Sequence, residues 1–493
     1  MAAETLYDRL GLPRDATPEE IRRAYRETLL RLQANQTANA DYKRLVSDLK
    51  VAFDVLSEPD KKAEYDQHLP PETPQSYPVQ VAVSYSRNTL VQISEPQLLY
   101  VYLELGLPDE AATAARPPLN LCLVVDCSTS MQGLRLDAAK ATAIELIRQL
   151  QPDDILSIVK FSDRAEIVLP ATELLDKRNA EVRVQLLKAG GGTEIFQGLD
   201  LGVQEVRQYH NLDRINHIIL LTDGYTYGDE KNCYQLADHA TTLPIGISAL
   251  GIGSQWNDSF LDALTAKTGG SSQFITQPED IRSFLLDNVI KLGQIYANQV
   301  TLIFETYPAI ELTDAFRISP DSAPLSSASP MVLGAVLRNA ALTLLLEFQI
   351  KSIPARTSKI TLAQGRLCYQ IPGNQERTSY IQRIDFQRPV SKDFDRTPPP
   401  AHIVQAMSNL TLYRMQEKAR TDMAKGDISA ASRRLQNIAT HLLAQGQRDL
   451  ARSVLNEVAH IQQNQSFSEE GEKRIKYGTR SLLLSKKGET KKP

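Results

Sequence analysis

The chain has 493 residues, which sets a prior of about three domains with ample hydrophobic core. Its formal charge of −4 excludes wholesale electrostatic attraction to nucleic acid. No apolar run approaches the ~18 residues needed to span a bilayer, and Met1-Ala2-Ala3-Glu4-Thr5 lacks the basic and apolar regions of a signal peptide. Four cysteines (Cys122, Cys127, Cys233, Cys368) form no Cys-x-x-Cys pair, so neither a disulfide framework nor a zinc site is indicated, and a reducing cytoplasm is the expected compartment.

Residues 1–69 read as charged helix. Thr17-Pro18-Glu19-Glu20-Ile21 is an N-cap with Pro at the first helical position, followed by Arg22-Arg23-Ala24-Tyr25-Arg26-Glu27-Thr28-Leu29-Leu30. With Leu6-Tyr7-Asp8-Arg9-Leu10-Gly11 before it and Ala52-Phe53-Asp54-Val55-Leu56-Ser57-Glu58-Pro59-Asp60 after it, the stretch resembles a J (DnaJ-like) domain along its full length. The family's His-Pro-Asp, which stimulates a DnaK-type ATPase, falls on Gln33-Ala34-Asn35 when the chain is aligned on Ala24-Tyr25-Arg26. The resemblance therefore implies a degenerate domain, a binding module rather than an ATPase trigger. Arg22, Arg23, Arg26 and Arg31 occupy the helix such domains use for docking; a solvated helix face is favoured over residual docking on an acidic surface.

A Pro-rich linker follows at 70–77, and then β pattern over 78–114, where Val79 to Tyr85 and Leu99 to Leu105 alternate. Similar strands recur over 295–390, in Val300 to Phe304, Leu342 to Phe348 and Arg366 to Ile371. Exposed sheet edges need partners, so the two segments are expected to form one β-sandwich around the intervening sequence; two separate small sheets are the alternative.

Between them, 115–294 alternates strand and helix, the pattern of an α/β doubly wound parallel sheet. Leu121-Cys122-Leu123-Val124-Val125 reads as a strand buried on both faces, and Asp126-Cys127-Ser128-Thr129-Ser130 follows it directly. Ligands of such sheets bind at the carboxyl ends of strands. Leu134 to Leu150 reads as an amphipathic helix, 155–161 and 165–169 as strands, and 180–188 and 196–209 as helices. Gly190-Gly191-Gly192-Thr193 offers a hydroxyl on a loop, and Ile218-Ile219-Leu220-Leu221-Thr222-Asp223-Gly224 is a second buried strand ending in a carboxylate. Helix 230–242, strand 245–253, helix 258–268, strand 272–276 and helix 278–293 complete the unit. Asp-x-Ser-x-Ser, then Thr, then Asp on a later strand resembles the metal-ion-dependent adhesion site of von Willebrand factor A (VWA) domains, and the element order resembles theirs throughout. The resemblance implies a metal site of Asp126, Ser128, Ser130, Thr193 and Asp223, with the serines as direct ligands, Thr193 direct or through water, and the carboxylates acting mostly through water. Hard oxygen donors suit Mg²⁺ (or Mn²⁺/Ca²⁺) better than Zn²⁺. An oxidation role for Cys127, inside this loop, would need exposure and a depressed pKa.

After a linker at 391–400 with Pro398-Pro399-Pro400, residues 401–485 read as a helical bundle broken at Lys425-Gly426-Asp427 and Gln445-Gly446-Gln447, and 486–493 as a basic tail. The stripe Leu412, Met415, Ala419 and Met423 is read as core. No phosphate loop, nucleophile elbow or His-Glu-x-x-His helix occurs, and His210 and His217, flanking the Asp223 strand, read as structural. The expectation is a non-catalytic, cytoplasmic, bacterial scaffold that binds the Asp or Glu of a protein partner through a divalent ion. A J-domain co-chaperone, or an adaptor for a separate AAA+ ATPase, is the alternative.

Overall fold

The structure, a computed structural model, describes residues 5–10, 16, 18, 21–22, 25–26, 29, 40–68, 77–108, 116–173, 176–226, 228–354, 357–373 and 379–483. Gln33-Ala34-Asn35, Arg23, Arg31, the Pro70 to Pro74 cluster and the 486–493 tail lie outside the described residues. Helices α1 (Leu6–Leu10), α2 (Ala40–Leu56) and α3 (Pro59–His68) enclose Tyr7, Leu10, Ile21, Leu49, Ala52 and Leu56. The two ends of this stretch are tied together: Tyr7 Oη donates to Asp66 at 2.6 Å, and Leu6 N–H to Tyr65 Oη at 2.8 Å. Arg22 and Arg26 are exposed.

Strands β1 (Gln80–Tyr85), β2 (Leu90–Val91) and β3 (Gln97–Gly106) lead into the central α/β unit. It begins with β4 (Leu119–Asp126), a 3₁₀ turn at Thr129–Met131, α4 (Leu134–Gln149), β5 (Ile155–Phe161) and β6 (Ala165–Glu173). Then come α5 (Lys177–Gln185), α6 (Ile195–Gln208), β7 (Ile215–Thr222), α7 (Glu230–Thr242) and β8 (Ile245–Ile252). Helix α8 (Asp258–Lys267), β9 (Ser272–Ile275) and α9 (Asp280–Gly293) complete it. The strand order is β6-β5-β4-β7-β8-β9. All eight residues of β4 and of β7 are buried, as continuous apolar runs at the centre of such a sheet must be. Alternate residues feed opposite faces. Leu121, Leu123 and Val125 pack with α4, α5 and α9, whereas Cys122 and Val124 pack with α6, α7 and α8.

The sheet departs from the expected all-parallel arrangement at one edge, where β6 runs antiparallel to β5. Only Ser162-Asp163-Arg164 separates them, which allows a hairpin, whereas a parallel return needs a dozen or more residues. Helix α5 also starts three residues before the expected 180, because the Asp176 side chain caps it by accepting from Asn179 N–H at 3.1 Å.

Strands β10 (Ile295–Thr306), β11 (Ile310–Ser319), β12 (Ala323–Leu325), β13 (Met331–Leu337), β14 (Leu342–Ile350), β15 (Lys359–Gln370) and β16 (Ser379–Ser391) follow. They join the earlier strands in two sheets, ordered β1-β3-β14-β11-β12 and β13-β10-β15-β16-β2. Strand β3 pairs with β14 from Gln97↔Ile350 to Leu105↔Leu342, so sequence from either side of the α/β unit shares one sheet. Leu99, Val101, Leu103, Leu344 and Phe348 from one sheet and Leu302, Leu367 and Phe386 from the other belong to a single apolar cluster.

The chain ends in α10 (Ala401–Ala424), α11 (Ile428–Ala444), α12 (Arg448–Asn464) and α13 (Glu469–Ser481). Leu412 and Ala419 are buried among Leu435, Ile438, Leu442, Val454 and Ile461, and Met415 and Met423 pack against that cluster. Helix α10 also covers the outer side of the first sheet, placing Leu410 and Tyr413 with Phe316, Ile318 and Leu345. Helix α13 packs on the α/β unit, where Lys476 lies 2.5 Å from Asp258 and 2.8 Å from Asp262, and Arg480 lies 2.7 Å from Asp262. Among the described residues, no helix is long and apolar enough to cross a membrane.

Candidate functional site

The site forms where β4 and β7 end. Asp126, the last residue of β4, is fully buried, and both its oxygens are engaged: Oδ1 accepts the Ser128 N–H at 2.8 Å, Oδ2 the Thr222 hydroxyl at 2.7 Å. The first bond folds the chain back on itself, the tendency of Asp in loops, and turns the two serines toward β7. Ser128 Oγ and Ser130 Oγ lie 3.0 Å apart, and Ser130 Oγ donates to Asp223 Oδ1 at 2.6 Å. A chain of hydroxyls thus links the ends of two neighbouring strands.

The third segment is fastened onto the first. Thr129 sends both its N–H and its hydroxyl to Gly191 O, at 3.1 and 3.0 Å, and Gly190 N–H donates to Cys127 O at 2.8 Å. Gly192 N–H reaches Asp163 Oδ1 at 2.6 Å. Thr193 Oγ1 consequently stands 3.3 Å from where a Cβ on Gly224 would project, which brings the threonine beside the Asp223-Gly224 turn. The structure therefore draws Asp126, Ser128, Ser130 and Asp223 into one hydrogen-bonded cluster and seats Thr193 at its side.

Burial pushes the Asp126 carboxyl up to about 6, against the lowering effect of its Ser128 and Thr222 hydrogen bonds, and the nearby Asp223 pushes it further the same way. Two buried carboxylates face a row of hydroxyls, and every polar side-chain atom of the five residues is oxygen. That donor set fits a hard divalent cation such as Mg²⁺ or Mn²⁺. Cys127 meets neither condition for a reactive thiol: it is buried, and burial, with Asp126 second, pushes its pKa up to about 12. His217 lies within β7 rather than beside it, buried, with Nε2 2.9 Å from Ser248 Oγ.

Two residues that take part went unassigned in the sequence reading. Thr222 orients Asp126, and its only sequence signal is its place just before Asp223. Arg135 lies early in α4, and its Nη1 forms an ion pair with Asp223 Oδ2 and lies 3.4 Å from Ser130 O. A basic residue five positions after Ser130, at the start of the next helix, is the signal that could have found it.

Residues 120–291, which carry this α/β fold, match the von Willebrand factor type A domain family. Residues 5–66 match the DnaJ domain, and 401–485 match a family described as Sll0103-like, C-terminal alpha-helical domain. The uncharacterized protein sll0103 of Synechocystis sp. is 28% identical over 333 residues, covering 66% of this chain and 78% of that protein. The inter-alpha-trypsin inhibitor heavy chain H4 of Bos taurus is 25% identical over 225 residues, covering 43% of this chain and only 24% of that protein. Among solved structures, a von Willebrand factor type A protein from Catenulispora acidiphila superposes with a TM-score of 0.65 at 15% identity, covering 83% of this chain and 98% of that one, a likeness of fold.

Proposed function

We propose that the chain is a non-catalytic scaffold that takes an Asp or Glu of a protein partner onto a divalent ion, Mg²⁺ before Mn²⁺ or Ca²⁺, held by Asp126, Ser128, Ser130, Thr193 and Asp223. The observation that carries this reading is the hydroxyl chain from Ser128 through Ser130 to Asp223, which brings three oxygen side chains from two strand ends to one point. Two carboxylates roughly cancel the charge of the ion, and the neutral hydroxyls leave it electrophilic enough to accept a carboxylate from outside. Asp126 and Thr222 hold the loop, Thr193 closes it, and the ion supplies the attraction. The likeness to inter-alpha-trypsin inhibitor heavy chains and the absence of any sequence motif for catalysis support an interaction role over an enzymatic one. The shared apolar cluster of the two five-stranded sheets supports reading them as one sandwich with the α/β domain inserted, flanked by helical domains at 1–69 and 401–485.

The test is recovery of partners from lysate by the full chain in Mg²⁺ and in chelator, repeated with Asp126→Ala. Recovery in Mg²⁺ alone, lost in the variant, is expected; equal recovery under all conditions ends the proposal. A metal bond at the centre of an interface contributes ~2 kcal/mol or more, so the affinity falls at least roughly thirtyfold on its loss.

A second reading is favoured by the DnaJ match over residues 5–66: a co-chaperone of a DnaK-type ATPase. Gln33-Ala34-Asn35 in place of His-Pro-Asp argues for a degenerate domain instead. Steady-state ATP hydrolysis by such a chaperone, measured with the full chain added, is expected to stay at its basal rate, and stimulation would restore the co-chaperone reading. We place the protein in the cytoplasm of a bacterium, and co-purification of an AAA+ ATPase would make it an adaptor rather than a passive scaffold.

A further inference from the structure

We propose that Arg135 is a rival cation built into the site: its guanidinium holds Asp223 against the divalent ion and keeps the affinity for that ion low. This rests on the reading of Asp126, Ser128, Ser130, Thr193 and Asp223 as an ion site, and adds a residue that sets how tightly the ion is held.

Three observations place Arg135 in that role. Asp223 has no exposed side-chain surface, whereas the Arg135 side chain is 34% exposed, so the guanidinium stands at the rim between a buried carboxylate and solvent. Both oxygens of Asp223 are occupied, Oδ2 by Arg135 and Oδ1 by the Ser130 hydroxyl at 2.6 Å. Finally, the backbone opposite is shaped to admit the guanidinium. Gly253 has φ +70°, and a Cβ there would stand 2.9 Å from Arg135 Nη2, a sub-van der Waals approach. That glycine is held in place, since its N–H donates to Ile275 O at 2.8 Å, and Lys473 Nζ on α13 bonds Trp256 O at 2.6 Å three residues on.

The physics is repulsion between like charges. A guanidinium within a few ångströms of a doubly charged ion opposes its binding even at the high effective dielectric of a protein surface. An ion that wins Asp223 releases a guanidinium at the rim, where it can receive a carboxylate through two parallel hydrogen bonds. Arg135 therefore acts in opposite senses: against the ion, and in favour of an acidic partner.

The experiment is titration of the purified full chain with Mn²⁺, with free Mn²⁺ read by electron paramagnetic resonance and folding checked by thermal melting. Arg135→Gln is expected to bind Mn²⁺ roughly tenfold more tightly than the wild type, and Arg135→Lys to stay within about threefold of it. Gly253→Ala keeps the charge but crowds Nη2 of the guanidinium, at the cost of strain from φ +70°, so it too is expected to tighten binding in the folded fraction, and it decides the matter should Arg135→Gln fail to fold. Asp126→Ala loses the site. Wild-type binding that is unchanged or weakened in both Arg135→Gln and Gly253→Ala overturns the rivalry and leaves the ion site standing. Absence of binding in the wild type and in both variants removes the ion site and the rivalry together.

Discussion

His217 is buried in β7, and burial holds its imidazole down to about 4, with Asp321 pulling the other way. The unfolded chain protonates it near its ordinary value of about 6.5. A base depressed in the fold contributes stability that is present above the unfolded value and lost as the pH falls toward the folded one. Acidification from pH 7 to pH 5 should therefore cost about 2 kcal/mol through this residue, and His217→Gln should remove that part of the slope in urea unfolding at the two pH values. An identical pH dependence in both proteins would show that His217 contributes none of it. At this scale the gathering of Asp126, Ser128, Ser130 and Asp223, with Thr193 beside them, was readable because these residues lie within a few positions of an apolar run or a glycine loop, signals that are local in sequence. Arg135 was not, since its role depends on meeting Asp223, 88 residues away, across the sheet ends.

Helix α6 shows what close packing asks of a sequence. Gly198 faces Phe161 on β5, and Gly202 faces Val124 on β4, where an added Cβ would approach to 2.7 and 2.8 Å. The helix can lie near the sheet only because these two positions carry no side chain. Gly202→Val should destabilise the α/β unit by about 1–3 kcal/mol through overpacking, seen as a lower urea midpoint. A midpoint equal to that of the wild type would mean that the helix shifts freely. Helix α11 offers a milder case: the Asp427 side chain accepts from Ala430 N–H at 2.9 Å, and Asp427→Ala should cost about 1 kcal/mol by the same measurement. Most elements were readable from apolar periodicity, as in α4 with Leu136, Ala139, Ala143, Leu146 and Ile147 all buried. The direction of β6 was misjudged because period-two alternation carries no sense of direction; the three-residue gap after Phe161 held that information.

On the scale of the whole molecule, buried charge joins the C-terminal helices to the α/β unit. Burial alone would push the Asp262 carboxyl up, but Arg480 and Lys476 outweigh it and hold it well below the usual carboxylate range. A depressed acid contributes stability that is present above its unfolded value near 3.9 and lost as the pH falls through the folded one, so the joint should hold across neutral and mildly acid conditions. Asp262→Ala would leave Arg480 and Lys476 buried with fewer partners, at a cost of about 3–5 kcal/mol. Limited proteolysis should then cut the chain between α10 and the second sheet, and resistance equal to the wild type would count against the joint. Nothing in the sequence announced this contact, because Asp262 and Arg480 are 218 residues apart and each reads locally as an ordinary polar helix residue.

The pairing of β3 with β14 also fixes an order of events during synthesis. Strand β3 leaves the ribosome about 235 residues before β14, its partner on the inner side of the sheet, an interval of roughly 12–50 s at the usual elongation rates. Until then β3 has only β1 beside it, and Leu99, Val101, Leu103 and Leu105 lack the completed pair of sheets that buries them, while the α/β unit, whose strands all lie within 119–275, can already close on itself. The nascent chain thus carries a folded middle with an unfinished, sticky strand at its base, and the period of greatest exposure to aggregation falls before residue 342 is made.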